Sequence, residues 1–368
     1  MLKKRVSLVS IFLPFLVCLP LLFISCDEEG LEEIDGFDRG EMLASLADDL
    51  IIPNFEALQE SVSKLSIATN EFVQNTNEEN LLKMRAAWVE AVTNHQHCTS
   101  FGFGPANLSL GAYGTVLGVF PVDEEEVEAN ILKADVNLAR SFSRDVRGFF
   151  TVEYLIYGND KTEIQVIESF DQQRKDYLLL VIDELTMTTE SIVNNWKTDY
   201  REKFINNDGT AAGSSVSILY NEFVKDYENI KNYKVELPAG LTAGQVSSDP
   251  TLVEAYYSGI SKQLIREHFS SSKNIWMGQT RDGQDIISFE EYLVALEGGP
   301  TLVAATKAAI VEIDNALAAL PDVKLSEMVD SEEVVTLRTK LQANTANFKS
   351  SMSSLLGISI TFNSGDGD

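Results

Sequence analysis

Apolar residues recur along most of the chain at three- and four-residue intervals, the period of a helix with one buried face. Leu43, Leu46, Leu50, Phe55, Leu58, Val62 and Leu65 form the first such face, starting near Glu41 and broken or kinked at Pro53. Asn77 to Cys98 gives a second, with Leu81, Met84, Trp88, Ala91 and Val92 inward. Glu78 and Glu79 fall in its first turn, where the helix dipole favours acids. The period fails over residues 99–122, which Gly102, Gly104, Pro105, Gly111, Gly114, Gly118 and Pro121 punctuate. A short helix opens at Asp123, and another covers the stretch around Glu153. A long one runs from about Glu163 to Trp196, with Phe170, Tyr177, Leu178, Val181, Leu185, Met187 and Ile192 along it. Further helices are expected at Ser214 to Ile230, Thr251 to Phe269, Ile286 to Leu296, Leu302 to Leu320 and Glu332 to Leu356. Asn206 to Thr210 reads as a turn, and Glu236 to Pro250 as a loop. No run alternates for long, and hairpin signals are scarce. The pattern predicts an all-α fold of two helical bundles packed against each other, residues 41–205 and 206–368.

One predicted helix stands apart. Phe149, Val152, Glu153 and Ile156 share a face at helical spacing, and Phe150, Tyr154 and Tyr157 occupy the other side. A helix apolar nearly all round is a buried one, so its single carboxylate is expected to be buried too. Such a group needs an arginine, a set of hydrogen-bond donors or a metal. Arg85, Arg144, Arg147 and Arg174 are the candidate partners, in a pair that would tie helices together.

The first 25 residues do not belong to the fold. Lys3, Lys4 and Arg5 precede an apolar run ending at Ser25-Cys26, with Pro14 and Pro20 inside it. That is the layout of a secretory leader rather than a spanning helix. Phe23-Ile24-Ser25-Cys26 is similar to a lipobox, which predicts acylation of Cys26 and anchoring to a membrane by lipid. Asp27, Glu28 and Glu29 follow, within an acidic tether over residues 26–40. An envelope lipoprotein is expected, on the outer membrane facing the periplasm or the surface. With Cys18 lost in the leader and Cys26 acylated, Cys98 has no partner for a disulfide. The formal charge is −27 over 368 residues, which excludes ordinary nucleic-acid binding.

The central stretch Gly148-Phe149-x-x-x-Glu153-Tyr154-Leu155-x-x-Gly158 resembles the signature of the imelysin family. Four other segments resemble it in the same order: Arg85-Ala86-Ala87-Trp88, Phe101-Gly102-Phe103-Gly104-Pro105, Phe120-Pro121-Val122-Asp123 and the terminal Phe362-Asn363-x-x-Asp366-Gly367-Asp368. Glu254-x-x-Tyr257-Ser258-x-x-Ser261 is similar to a family segment of the second half. The resemblance implies a helical bacterial envelope protein, of a family once classed as peptidases and later implicated in iron uptake. It also implies a cleft between the two bundles, in which Glu153, Arg147, Tyr257, Ser258 and Ser261 approach one another. The family pattern is Gly-x-His-x-x-Glu, in which imidazole and carboxylate share a helix face and can hold one ion. Here Phe150 stands at the histidine position, so Glu153 is left as a lone metal-ligand candidate, for iron or another divalent cation. Thr99 stands where several relatives have an acid.

The remaining chemistry is sparse. His95-x-His97 with Cys98 has ligand-type residues, but i, i+2 spacing points two imidazoles apart unless the helix ends there. His268 reads as a structural residue near a helix C-terminus. Asp366-Gly367-Asp368 starts like a calcium loop without the distant glutamate such a loop requires. No His-Glu-x-x-His or Gly-x-Ser-x-Gly is present, and Ser258 and Ser261 lack an evident base. The expectation is a non-enzymatic envelope lipoprotein acting with iron-uptake components, its ligand site in the cleft around Glu153. The alternative is a peptide-, glycan- or protein-binding lipoprotein on the same scaffold, in which Phe150 marks the loss of metal binding.

Overall fold

The structure is a computed structural model that describes residues 36–133, 135–138 and 141–362. The leader, Cys26, most of the tether and Asp366-Gly367-Asp368 lie outside the described residues.

The first apolar face is realised in α1 (Arg39–Leu46) and α2 (Ile52–Gln74), joined without a break by a π-helical stretch, Ala47–Ile51. Every residue of the face named above is buried. Pro53 does not interrupt it. The missing N–H falls in the first turn of α2, where no bond within α2 is lost. Asn77 caps α3 (Glu78–Gln96), which packs along α2. The glycine-rich region that follows is mostly irregular. It contains a two-residue hairpin, Asn107–Leu108 with Gly111–Ala112, and the short α4 (Tyr113–Leu117). Asp123 caps α5 (Glu124–Ile131), and α6 (Gly148–Tyr157) carries Glu153.

The predicted helix from Glu163 to Trp196 is two helices. α7 (Glu163–Glu168) ends at Ser169, and Asp171 caps the long α8 (Gln172–Asn195), its side chain accepting from the Arg174 N–H. A capable N-cap restarted the helix inside an otherwise periodic run. Met187, one of the apolar residues along this run, is 64% exposed. A second π-helical stretch, Trp196–Tyr200, leads to α9 (Arg201–Ile205). α2 packs against α3 and α8, and α6 against α8 and α3. Trp88 Nε1 donates to the Phe149 carbonyl at 2.8 Å, fastening α3 to α6.

The second half begins with α10 (Ser215–Asn229), continued by the π-helical stretch Ile230–Glu236. The helix expected from Thr251 starts only at Ser261. α11 spans Ser261–Met277, and residues 253–260 form a loop with Ala255 at φ +52° and Gly259 at φ +75°. α12 (Phe289–Val294), α13 (Gly299–Ala319), α14 (Glu332–Thr345), the π-helical stretch Ala346–Met352 and α15 (Ser353–Leu355) complete the described chain. The chain is all-α apart from the small hairpin and one isolated bridge among the described residues. The halves meet where α10 packs on the turn Thr99–Phe101 and α11 packs on α3.

Candidate functional site

α6 begins at Gly148 because little else fits there. Its φ is +75°, and a Cβ would lie 2.1 Å from the Leu117 carbonyl oxygen at the end of α4. The preceding Arg147 is 1% exposed and points away from Glu153. Its guanidinium donates to Glu184 on α8 at 2.6 Å, to the Ser143 carbonyl at 3.1 Å, to the Ser141 carbonyl at 2.9 Å, and to the Leu138 carbonyl. Arg147 thus pins the approach to α6 onto α8 and takes no part in the expected cluster.

Glu153 is 1% exposed. None of the four arginines pairs with it. Arg85 serves the Ile156 carbonyl and Glu163, Arg144 the Thr115 carbonyl, Arg147 Glu184, and Arg174 Glu128. The partner is instead the loop before α11. The Ser258 N–H donates to Glu153 Oε1 at 2.7 Å, and the Tyr257 N–H and Ser258 hydroxyl also reach the carboxyl. The left-handed turns at Ala255 and Gly259 aim successive amides at one point, the geometry of a backbone anion nest. Ser261 closes the loop by donating to the Glu254 carbonyl. Tyr257 packs its ring 5.3 Å from that of Tyr154 and donates to Glu124 at 2.9 Å. So Glu153, Tyr257 and Ser258 are brought together, with Ser261 bracing the loop. Burial pushes the Glu153 carboxyl up to about 7 against these donors, and Glu254 pushes the same way.

Glu153 is therefore a poor place for a resident cation. Its oxygens face N–H and O–H donors, which suit an anion or a neutral acid. Among the described residues, no three His, Cys, Asp or Glu side chains are grouped to hold a metal ion. Phe150 is buried with its ring 5.5 Å from Phe120, edge to face, and so backs Phe120.

Phe120 lies on the wall of a cavity of about 880 Å³ between the two halves. Glu153 and Phe150 do not line it; Glu254, four residues before Ser258, does. The cavity wall is a connected polar network that joins His95, Thr99, Glu254 and His268, residues already notable in the sequence, to Asp226 and Lys234. Asp226 on α10 accepts from His268 Nε2 at 2.7 Å, from the Ser100 hydroxyl at 2.6 Å and from the Thr99 hydroxyl at 2.7 Å. Burial opposes the charge on Asp226, yet these donors hold its carboxyl well below the usual range. His268 Nδ1 is buried without a partner, which places the imidazole hydrogen on Nε2. Lys234 reaches Gln96 at 2.5 Å and Glu254 at 2.9 Å, and Gln96 donates to Glu254 at 3.1 Å.

His95 and His97 do not converge. His95 Nδ1 lies 2.6 Å from the Tyr113 hydroxyl, and His97 Nε2 3.1 Å from Glu267. Burial, and then Lys234, pushes the His95 imidazole down to about 3 and keeps it neutral. Burial also keeps Tyr113 a neutral phenol, a natural donor to Nδ1, so His95 presents Nε2–H towards Gly118 on the cavity wall. His268 sits in the middle of α11 rather than at its end, at 1% exposure. What sequence reasoning missed was the pairing of buried His268 with Thr99 and Asp226, which come from distant segments.

Comparison with known proteins agrees with this architecture. The family model described as imelysin (peptidase M75) matches residues 51–352. No curated protein matches the chain. Two solved structures share the fold. One, from Parabacteroides distasonis ATCC 8503, is described as a candidate iron-regulated protein A precursor. It superposes with a TM-score of 0.73 at 17% identity, over 88% of this chain and 97% of that one. The other is an imelysin-like protein from Psychrobacter arcticum 273-4, with a TM-score of 0.71 at 19% identity, over the same shares.

Proposed function

The chain belongs to the imelysin family, and from that premise we propose that it is a non-enzymatic binding protein of the cell envelope. Its ligand occupies the cavity between the halves, and its task is part of iron acquisition. The observation that carries the binding reading is the cavity itself. A volume of about 880 Å³ suits a molecular ligand and far exceeds a bare ion. Iron, in this reading, is cargo in a complex with a small molecule rather than a resident ion on Glu153. The iron role rests on the family and on the neighbour described as iron-regulated. The absence of an enzymatic role is supported by the wiring of the network. The Thr99 and Ser100 hydroxyls are turned to the Asp226 carboxylate, and His268 Nδ1 is sealed from the cavity. Anchoring through an acylated Cys26 on the outer membrane, with iron-uptake components as partners, completes the proposal. Among the described residues no helix is long and apolar enough to cross a membrane.

A second reading, a peptide, glycan or protein ligand with no metal involved, is favoured by one observation. Phe150 packs on Phe120 and leaves no ligating group at that helix position.

Calorimetric titration of the mature chain without its lipid tests the site. Ferrous, ferric and zinc ions, and ferric citrate, are compared on wild type, Glu153→Ala and Thr115→Trp, the last filling the cavity from its wall. Bare ions are expected to show no site that depends on Glu153, and any solute bound by wild type is expected to be lost in Thr115→Trp. One equivalent of bare ion lost in Glu153→Ala and kept in Thr115→Trp overturns the cavity reading. Unchanged growth of a deletion strain on limiting iron removes the iron role.

A further inference from the structure

Among the described residues, the charges on the cavity wall leave two carboxylates without a cation. Glu254 is paired with Lys234 at 2.9 Å, Glu222 with Lys225 at 2.5 Å, and Glu228 with Lys349 at 3.2 Å. Arg144 and Asp145 also line the cavity in no ion pair among the described residues, and they are opposite in sign. That leaves Glu126, which accepts the Ser143 hydroxyl at 3.0 Å, and Asp226. The donors to Asp226 carry no charge. They are the Thr99 and Ser100 hydroxyls and His268, whose imidazole burial pushes down. The wall is therefore negative on balance, and a bound positive group is favoured over an anion.

Asp226 is also open on one side. All three of its donors reach the same oxygen, Oδ2. Oδ1 takes none among the described residues, and Asp226, 4% exposed, lines the cavity. A buried carboxylate with one oxygen unsatisfied calls for a donor, and a charged donor serves it best. His95 offers the opposite sense. Its imidazole is 2% exposed, Nδ1 is taken by Tyr113, and Nε2 has no partner among the described residues. A Cβ on Gly118 would collide with Nε2, so the glycine keeps that atom uncovered on the cavity wall. The two groups are neighbours. Thr99, just beyond His95 in the chain, bonds Asp226, and the Asp226 charge acts on the imidazole. The Lys234 charge acts there too, which favours an oxygen against the His95 N–H.

We propose that Asp226 Oδ1 and His95 Nε2–H form a head-group site in the cavity, which takes a primary ammonium on the first and a carboxylate or carbonyl oxygen on the second. An ammonium with such an oxygen beside it is the head of an α-amino acid and the N-terminus of a short peptide. A volume of about 880 Å³ has room for either. The assignment rests on the cavity being the ligand site and is independent of the iron role.

The test is calorimetry on the soluble mature chain, with the standard L-amino acids and a library of tripeptides as probes. Each probe that binds is repeated as its N-acetyl derivative and as the amine that lacks the neighbouring carboxyl or carbonyl. At least one free amine with an adjacent oxygen is expected to bind, and the two sets of probes show which source fills the site. Its N-acetyl form is expected to bind about tenfold or more weakly. Asp226→Asn keeps an acceptor for Thr99, Ser100 and His268 but removes the charge, and is expected to lose a similar factor. His95→Phe keeps a ring against Tyr113 and Phe149 and removes the N–H. It is expected to bind the amino acid or peptide no better than the amine without its oxygen. Both variants are buried substitutions, so circular dichroism checks their folding, and the comparison of probes on wild type needs neither. No amine bound, or N-acetyl forms bound as tightly as the free amines, overturns the proposal. If no amine binds while Thr115→Trp abolishes binding of ferric citrate, the head-group site falls and the cavity reading stands. If Thr115→Trp leaves every bound solute in place, the cavity reading itself falls.

Discussion

Glu153 is a carboxyl sealed from water and met by amide donors from a loop a hundred residues further along the chain. Its folded-state value of about 7 lies above the ordinary value of 4.5. A raised acid favours the protonated fold, so its contribution to stability is complete below about 4.5 and is lost as pH rises through 7. The shift corresponds to something on the order of 3 kcal/mol. Glu153→Gln keeps an acceptor for the Ser258 N–H and cannot ionise. Urea unfolding at pH 5 and pH 8 is therefore expected to show the drop in wild type and a much smaller one in the variant. An equal drop in both would assign the pH dependence elsewhere. His95 acts in the opposite sense. Its value of about 3 lies below the ordinary 6.5, so the stability tied to its neutral form is present above 6.5 and lost as pH falls towards 3. At this scale the sequence was half legible. A buried carboxylate on an apolar helix announces that it needs partners, and the choice among arginine, donors and metal was visible. The arginines were letters on the page, whereas an amide is carried by almost every residue and marks no position. The donors that hold Glu153 had no signature to read.

At the scale of elements, periodicity found the helices and missed where they stop. The α2, α3 and α8 faces follow from spacing alone, because a stripe of apolar residues at i, i+3, i+4 has few other uses. The break before Asp171 and the late start of α11 at Ser261 depend on local caps and on left-handed residues, which periodicity averages over. Residues 251–260 pass as helix by their apolar content, although Gly259 was a hint. The π-helical stretches were also invisible, since one extra residue in a turn leaves the pattern on either side intact. Gly148 shows how strict a boundary can be. Gly148→Ala would force a side chain to φ +75° and into the Leu117 carbonyl, so α6 could not start where it does. A loss of at least about 2 kcal/mol is expected in denaturant unfolding, accompanied by loosening around Glu153. A variant as stable as wild type would show that α4 can move aside.

The described residues from Phe37 onward form one compact unit. The two halves share buried polar contacts as well as apolar ones, with Thr99 and Ser100 on Asp226, Gln96 on Glu254 and Lys234, and Glu153 on the loop at Ser258. Such links join the halves, so the mature chain is expected to melt in a single calorimetric transition with equal calorimetric and van't Hoff enthalpies. Two resolved transitions would show two bundles, 41–205 and 206–368, that fold independently. The all-α class and the family were legible from patterns and ordered motifs. The cavity was not, because its wall gathers His95, Thr99, Asp226, Lys234, Glu254 and His268 from segments that no local rule connects.

The clasp on Glu153 has a consequence for how this scaffold can diversify. Two of its donors, the N–H groups of positions 257 and 258, belong to the main chain and so do not depend on which side chains stand there; the third is the Ser258 hydroxyl. A change of side chain at 257 or 258 leaves those two amides in place, and costs only the Tyr257 contacts with Glu124 and Tyr154 or the Ser258 hydroxyl. Most replacements at 258 leave the amide donor in place; proline removes it. The loop is thus held to the other half largely through groups that every residue but proline carries, and Glu153 is the side chain on which that hold depends.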